Sequence, residues 1–253
     1  MRQIKFFSFL LTFFSMLILS SNAQTKIFES ALERTGTIEL FTSEGCSSCP
    51  PADDWLNQLE KSKDLWTRWI PMVFHVDYWD YLGWKDPWSS PEFSKRQRTY
   101  AALWNSDSVY TPEMVLNGKE WRNWHHLGTL PNTLNLPKPG ILKAEASDSG
   151  EIKIKFSPEK SQKFGASFLV HAAVLGFDQI SNVKSGENRG KLLRHHFNVL
   201  EHVQAPMKRS SEVLEGKLDL STFSESRDIR RAIVVWISSG EDPIPIQATG
   251  GEW

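Results

Sequence analysis

The sequence predicts an α/β first half followed by a mainly antiparallel β second half, and three observations carry that expectation. A short apolar run, Gly36 to Thr42, turns through Ser43-Glu44-Gly45 into a two-cysteine turn and then into residues with helical spacing. Beyond Gly140 the apolar residues instead alternate at period two, the pattern of antiparallel strands in a sandwich. Nine of the eleven tryptophans lie between Trp55 and Trp124, so the two halves also differ in composition. The proline-rich stretch from Leu130 to Gly140 reads as a linker, which gives three segments: 1–23, 24–140 and 141–253.

Segment 1–23 has the form of a secretory signal. Arg2 and Lys5 precede the apolar run Phe6 to Leu19, and the small residues Ser20-Ser21-Asn22-Ala23 follow. The run is shorter than the ~20 residues a spanning helix needs, so the expectation is an exported protein, periplasmic or extracellular, without a membrane span after cleavage. With 29 basic against 30 acidic side chains, the chain lacks the positive surplus that neutralises phosphates, and no nucleic-acid partner is expected.

In the next segment, Gly36 to Thr42 reads as a buried strand. After Cys49, Pro50 and Pro51 suit a first helical turn, where the missing N–H groups would lack intrahelical partners anyway. Ala52, Trp55, Leu56 and Leu59 then form one apolar stripe. Ile70 to Val76 is a second strand. A helix follows from Pro91 to about Trp104, capped by Ser89 or Ser90. Thr111 to Trp121 reads as a strand turning at Asn117-Gly118 into its antiparallel neighbour. In the last segment Ile152/Ile154/Phe156, Phe168/Val170/Ala172/Val174, Phe197/Val199 and Ile233/Val235/Ile237 mark the strands.

Cys46 and Cys49 are the only cysteines, and their spacing narrows their role. Closing so short a loop contributes about 2 kcal/mol in the chain-entropy model, against ~3 for a fifteen-residue loop, so the pair is a weak staple. No second Cys pair follows to complete a structural zinc site. Thiol–disulfide exchange is the leading reading. Cys46, near a helix N-terminus, would have its thiolate favoured and act as the attacking thiol, with Cys49 resolving the mixed disulfide. A second reading takes Cys46, Cys49 and His75 as a soft, copper-preferring site, or the chain as another non-catalytic binding protein.

At these residues the sequence resembles the thioredoxin superfamily. The strand at Ile38, the C-x-x-C at a helix start, Phe74-His75-Val76-Asp77 and Tyr110-Thr111-Pro112 before Met114-Val115-Leu116 fall in that family's order. IELFTSEGCSSCPPADDW, HVDYWDYLGW, TPEMVLNG and GENRGKLLRHHFNV look closer to a secreted thioredoxin-like family of unassigned function. The resemblance implies a thioredoxin-like first domain, a cis Pro112 facing the dithiol, and Thr111 offering its backbone to a substrate peptide. Protein or peptide thiols and disulfides are the implied partners, with no organic cofactor.

Leu40 occupies the place of that family's buried acid. Glu39, one residue off, is the candidate proton shuttle if a bulge re-aims it, and otherwise a salt-bridged side chain. Tyr78 to Trp88 is an aromatic insertion; Trp79 and Trp84 either wall a substrate groove beside Cys46 or pack on their own domain. The adjacent pairs His125-His126 and His195-His196 read as surface histidines, since neighbours on a strand face opposite ways. Gly186 to Lys191, with Arg194, reads as a hairpin turn or an anion-holding loop.

Overall fold

The computed structural model describes residues 25–127, 130, 136–162, 164–165, 167–220, 230–240 and 242–253. The signal-like segment 1–23 and residues 131–135 of the linker-like stretch lie outside them. In chain order the elements are β1 (Thr25–Glu29), β2 (Gly36–Thr42), α1 (Pro50–Asn57), β3 (Trp69–His75), α2 (Pro91–Leu103), β4 (Glu113–Leu116), β5 (Lys119–Glu120) and α3 (Trp124–Leu127). They continue as β6 (Gly140–Ser147), β7 (Glu151–Pro158), β8 (Phe168–Gly176), β9 (Gln179–Asn182), β10 (Leu192–His195), β11 (Asn198–Pro206), β12 (Lys208–Ser210), β13 (Val213–Asp219), β14 (Arg231–Ser239) and β15 (Gln247–Glu252).

The α/β expectation, and the thioredoxin-like domain with it, is corrected by this topology. Among the described residues the structure is mostly β, 45% strand against 14% helix, and it has several sheets. One eight-stranded sheet runs β15-β14-β8-β11-β3-β2-β4-β5 and draws strands from both sides of Gly140. β2 and β3 are parallel, with α1 in the crossover, and β4 adds antiparallel to β2. On its other side β3 meets β11, where Val73 N donates to Phe197 O at 2.9 Å. Gly140 is therefore the first residue of a strand, not a break between two separate sheets. The strand, turn and helix were local signals, and the residues that form them carry no mark of which distant strand completes the sheet.

A second sheet, β1-β6-β7-β13-β12, packs on one face of the large one. Leu142, Ala144, Ile152, Ile154 and Phe156 meet Val170, Ala172, Val174, Ile233, Val235 and Ile237 in that core. The intervening residues of β8 and β14, Ala173, Leu175, Ala232, Val234 and Trp236, face the other core with Phe41, Phe74 and Tyr100. Both faces of these strands are buried, which is why β14 reads as a continuous apolar run instead of an alternating one. On that second face α2 is capped by Ser90, whose Oγ accepts from Glu92 N at 3.2 Å. Asn117 (φ 53°) and Gly118 (φ 79°) turn β4 into β5; the two successive left-handed positions are those of a type I′ hairpin turn, where glycine is free of steric cost.

Candidate functional site

Cys46 and Cys49 form a disulfide between the end of β2 and the start of α1. The turn is built by Cys46 N donating to Ser43 O (3.1 Å) and Cys49 N to Cys46 O (3.3 Å). Cys49 is the N-cap residue, and Pro50 and Pro51 open the helix. Ala52 N and Asp53 N both donate to Cys49 O, at 2.9 and 3.2 Å. Each cysteine is about 1% exposed, while Ser47 and Ser48 between them face solvent, so the sulfurs lie just beneath a polar cover.

The Thr111–Pro112 peptide is cis and lies against this turn. Thr111 O is 3.8 Å from Cys46 Sγ, and Ser48 Oγ sits 3.2 Å from the sulfur and 3.5 Å from Thr111 O. Cys46, Ser48, Thr111 and Pro112 are thus brought together. Trp79 joins them through Nε1, which donates to Thr111 Oγ1 at 2.8 Å, and Trp84 Nε1 donates to Glu44 Oε2 at 2.8 Å. Both indoles are half-buried, with their N–H groups engaged in holding the turn and the Thr111 segment. Glu113, the next residue of β4, is buried; desolvation pushes its carboxyl up to about 7.

Glu39 is placed elsewhere in its chemistry. It is fully buried, with Arg96 Nε at 2.7 Å, Arg96 Nη2 at 3.0 Å and the Tyr100 hydroxyl at 2.6 Å from its carboxylate oxygens. This is a structural ion pair between β2 and α2, so the proton-shuttle expectation is corrected: strand alternation keeps Glu39 on the α2 side and β2 pairs in unbroken register with β3. His75 also departs from its expected set. Its Nδ1 is 2.7 Å from Asp86 Oδ2 and its Nε2 3.1 Å from Asn198 Oδ1, and its ring packs edge-on against His195, not beside the two sulfurs as a ligand.

Beneath the turn lies a buried polar cluster that sequence reasoning missed. Glu44 N donates to Asp86 Oδ2 at 2.8 Å, and Glu44 Oε1 is 3.0 Å from His195 Nε2. Asp53 accepts from Thr42 Oγ1 at 2.8 Å, and its other oxygen stands 3.6 Å from His195 Nδ1. Burial opposes a charge on His195, but Asp53 and Glu44 outweigh it and raise its pKa from 6.5 to about 10. Burial likewise opposes charge on Asp86, yet His75 and the Glu44 and Trp88 N–H groups hold its carboxyl below the usual range. Asp53, His75 and His195 each offer a ligand atom within 4.8 Å of the others, the one such group among the described residues. Asp53 stood in plain view one helical turn after Cys49. His195 did not, because nothing local tells a buried strand-end histidine from an exposed one.

The hairpin β9–β10 explains how His195 reaches the site. Its loop is the Gly186–Lys191 stretch, with Gly190 N donating to Val183 O at 2.9 Å. Asn188 is fully buried and donates through Nδ2 to Glu44 O (2.9 Å) and Cys46 O (2.8 Å), while Glu187 accepts from Ser47 N (2.9 Å) and Oγ (2.6 Å). The second half of the chain therefore clasps the cysteine turn. An Asn188→Ala variant strips two buried carbonyls of their donor. It is expected to lose about 2 kcal/mol in urea unfolding, and its native disulfide to be reduced faster by dithiothreitol. An unchanged midpoint would show that the clasp contributes nothing.

A family model described as "Protein of unknown function (DUF1223)" matches residues 37–238. Among solved structures, an X-ray structure of a structural-genomics target from Agrobacterium tumefaciens is similar at 24% identity and TM-score 0.60, covering 87% of this chain and 94% of that one. HBP35 of Porphyromonas gingivalis is similar at 14% identity and TM-score 0.55, covering 88% of this chain and 76% of that one. At these identities the likeness is one of fold. No curated protein matches the chain. The matched region takes in the cysteine turn, the aromatic insertion, the clasping hairpin and most of the shared sheet, and the chain belongs to this family of unknown function, DUF1223.

Proposed function

We propose that the protein exchanges disulfides with protein or peptide thiols through Cys46 and Cys49, after export of the chain by its signal-like N-terminal segment. The observation that carries the reading is the placement of Cys46 Sγ 3.8 Å from Thr111 O, on the rim where a β-strand ends and a helix begins. An extended peptide laid along Thr111–Pro112 would bring its own sulfur to Cys46. Attack of a substrate thiolate on Cys46 Sγ breaks the bond to Cys49, which leaves as a thiolate; the mixed disulfide is then resolved by Cys49 or by a second substrate thiol. Electrons pass through the sulfurs alone, so no organic cofactor enters. Trp79 positions Thr111 in this reading, and Trp84 positions Glu44 behind the turn.

The test is the redox equilibrium of the pair in glutathione buffers, read by alkylation and mass. A potential between about −270 and −120 mV with prompt exchange is expected. Cys46→Ser should abolish exchange, and Cys49→Ser should accumulate mixed disulfides on Cys46. A potential below about −300 mV, or no exchange over hours, would make the bond a structural one and overturn the proposal.

A further inference from the structure

We propose that Asp53, His75 and His195 bind one divalent first-row cation, of which zinc is the form to test, in a buried site beneath the cysteine turn. It does not depend on exchange at Cys46 and Cys49, and its ligands exclude both sulfurs. The donors come from three distant parts of the chain, α1, β3 and β10, and one ligand atom of each lies within 4.8 Å of the others. All three residues are at most 5% exposed.

Two features point past a plain hydrogen-bonded cluster. His195 Nδ1 is buried without a hydrogen-bond partner and faces Asp53 Oδ1 at 3.6 Å. That is too long for a hydrogen bond. It matches two donors on one ion, which at zinc's ~2.0–2.2 Å bond lengths stand about 3.4 Å apart. The second feature is the outer partners. A metal-bound imidazole typically gives its other ring nitrogen to a carboxylate, which fixes the tautomer and turns the ring toward the ion. His195 Nε2 is held by Glu44 at 3.0 Å and His75 Nδ1 by Asp86 at 2.7 Å. His75 Nε2 is then the ligating atom, and Asn198 Oδ1, 3.1 Å from it, supplies a neutral fourth donor. Glu44, Asp53 and Asp86 place three buried carboxyl groups around the two imidazoles. Two imidazoles, one carboxylate and an amide oxygen are a borderline donor set suited to zinc and its neighbours.

The test is zinc uptake by untagged, folded protein in equilibrium dialysis, with cobalt as the coloured substitute. One equivalent of zinc should bind, and cobalt should give the intense visible bands of four-coordination. The Cys46→Ser/Cys49→Ser double variant should bind equally. His195→Gln and Asp53→Asn should each bind at least ~100-fold more weakly, and Asp86→Asn, which touches the ion only through His75, roughly 10–100-fold more weakly. Failure of the folded wild-type protein to take up zinc or cobalt overturns the proposal whatever the variants do. So does unchanged binding in folded His195→Gln, or loss of binding in the folded double cysteine variant, which would show that the site depends on the cysteine pair.

Discussion

Replacing Arg96 with alanine is expected to lower the unfolding free energy by about 3–5 kcal/mol, the usual cost of leaving one buried charge without its partner. Its side chain is 8% exposed and that of Glu39 is fully buried, so neither charge has water to turn to. Arg96 makes two hydrogen bonds to the carboxylate, at 2.7 and 3.0 Å, and one to Pro243 O at 3.2 Å. Its guanidinium also lies 5.3–5.4 Å from the ring centres of Phe74, Tyr100 and Trp236. Burial works against the charge of Arg96, but Glu39 and Tyr100 raise its pKa further, so it stays charged throughout the accessible range. In a domain of this size, 3–5 kcal/mol corresponds to a melting-temperature drop of roughly 10 °C. The double replacement Glu39→Leu/Arg96→Met, apolar and of similar volume, should recover most of the loss, since the penalty belongs to the orphaned charge and not to the absence of the pair. Urea unfolding of the three proteins checks this. A loss below ~1 kcal/mol in Arg96→Ala would mean that water reaches Glu39 and that α2 is held to the sheet by its apolar face alone.

The same pair shows what was legible in the sequence. Ser90 followed by Pro91 marked the start of α2 correctly, because capping and proline chemistry are local. Phe93, Arg96/Gln97, Tyr100, Leu103 and Trp104 stand at the helical spacing of one face, and Phe93, Gln97 and Tyr100 of them are buried while Leu103 is exposed. The partner of Arg96 lies 57 positions away on β2, and no spacing rule connects them. Glu39 stands out as the residue next to the place of the resembled family's buried acid, and strand alternation points it at α2. The cysteine turn itself was readable: strand, turn, two prolines and helix follow one another within Gly36 to Asn57. What covers it was not. Asn188 and His195 arrive through the hairpin β9–β10, and β3 becomes an interior strand only because β11 pairs with it. Reading the chain as two halves followed from composition, and composition reports what a segment buries, not which strand it pairs with.

Acidification should cost the fold more than its carboxylates alone require, because the buried His171 and the half-buried His202 are held neutral on its large sheet. His171 on β8 and His202 on β11 stack nearly parallel to Trp236 on β14, at ring-centre distances of 5.0 and 5.2 Å and interplanar angles of 3° and 9°. His171 Nδ1 is 3.3 Å from His202 Nε2, and His171 Nε2 is 3.0 Å from Ser238 Oγ. Burial, reinforced by the nearby Arg96 charge, lowers the pKa of His202 from 6.5 to about 3; burial, Arg96 and His202 together push that of His171 well below 6.5. A histidine with a depressed folded pKa binds its proton first in the unfolded chain. Above pH ~6.5 neither state is protonated and nothing is lost; as pH falls below that value the unfolded state takes up protons that the folded state refuses, and stability declines until the folded pKa is reached. Each such histidine steepens the decline by about 1.4 kcal/mol per pH unit, so by pH 4.5 His202 alone removes on the order of 3 kcal/mol. Unfolding free energies of wild type and His202→Phe at pH 7, 6, 5 and 4.5 isolate this contribution, since phenylalanine keeps the stack and cannot bind a proton. The variant should lose stability less steeply by one proton's worth across that window. Parallel slopes would mean that His202 is reached by solvent and ionises in the folded sheet, so that neither burial nor Arg96 keeps it neutral.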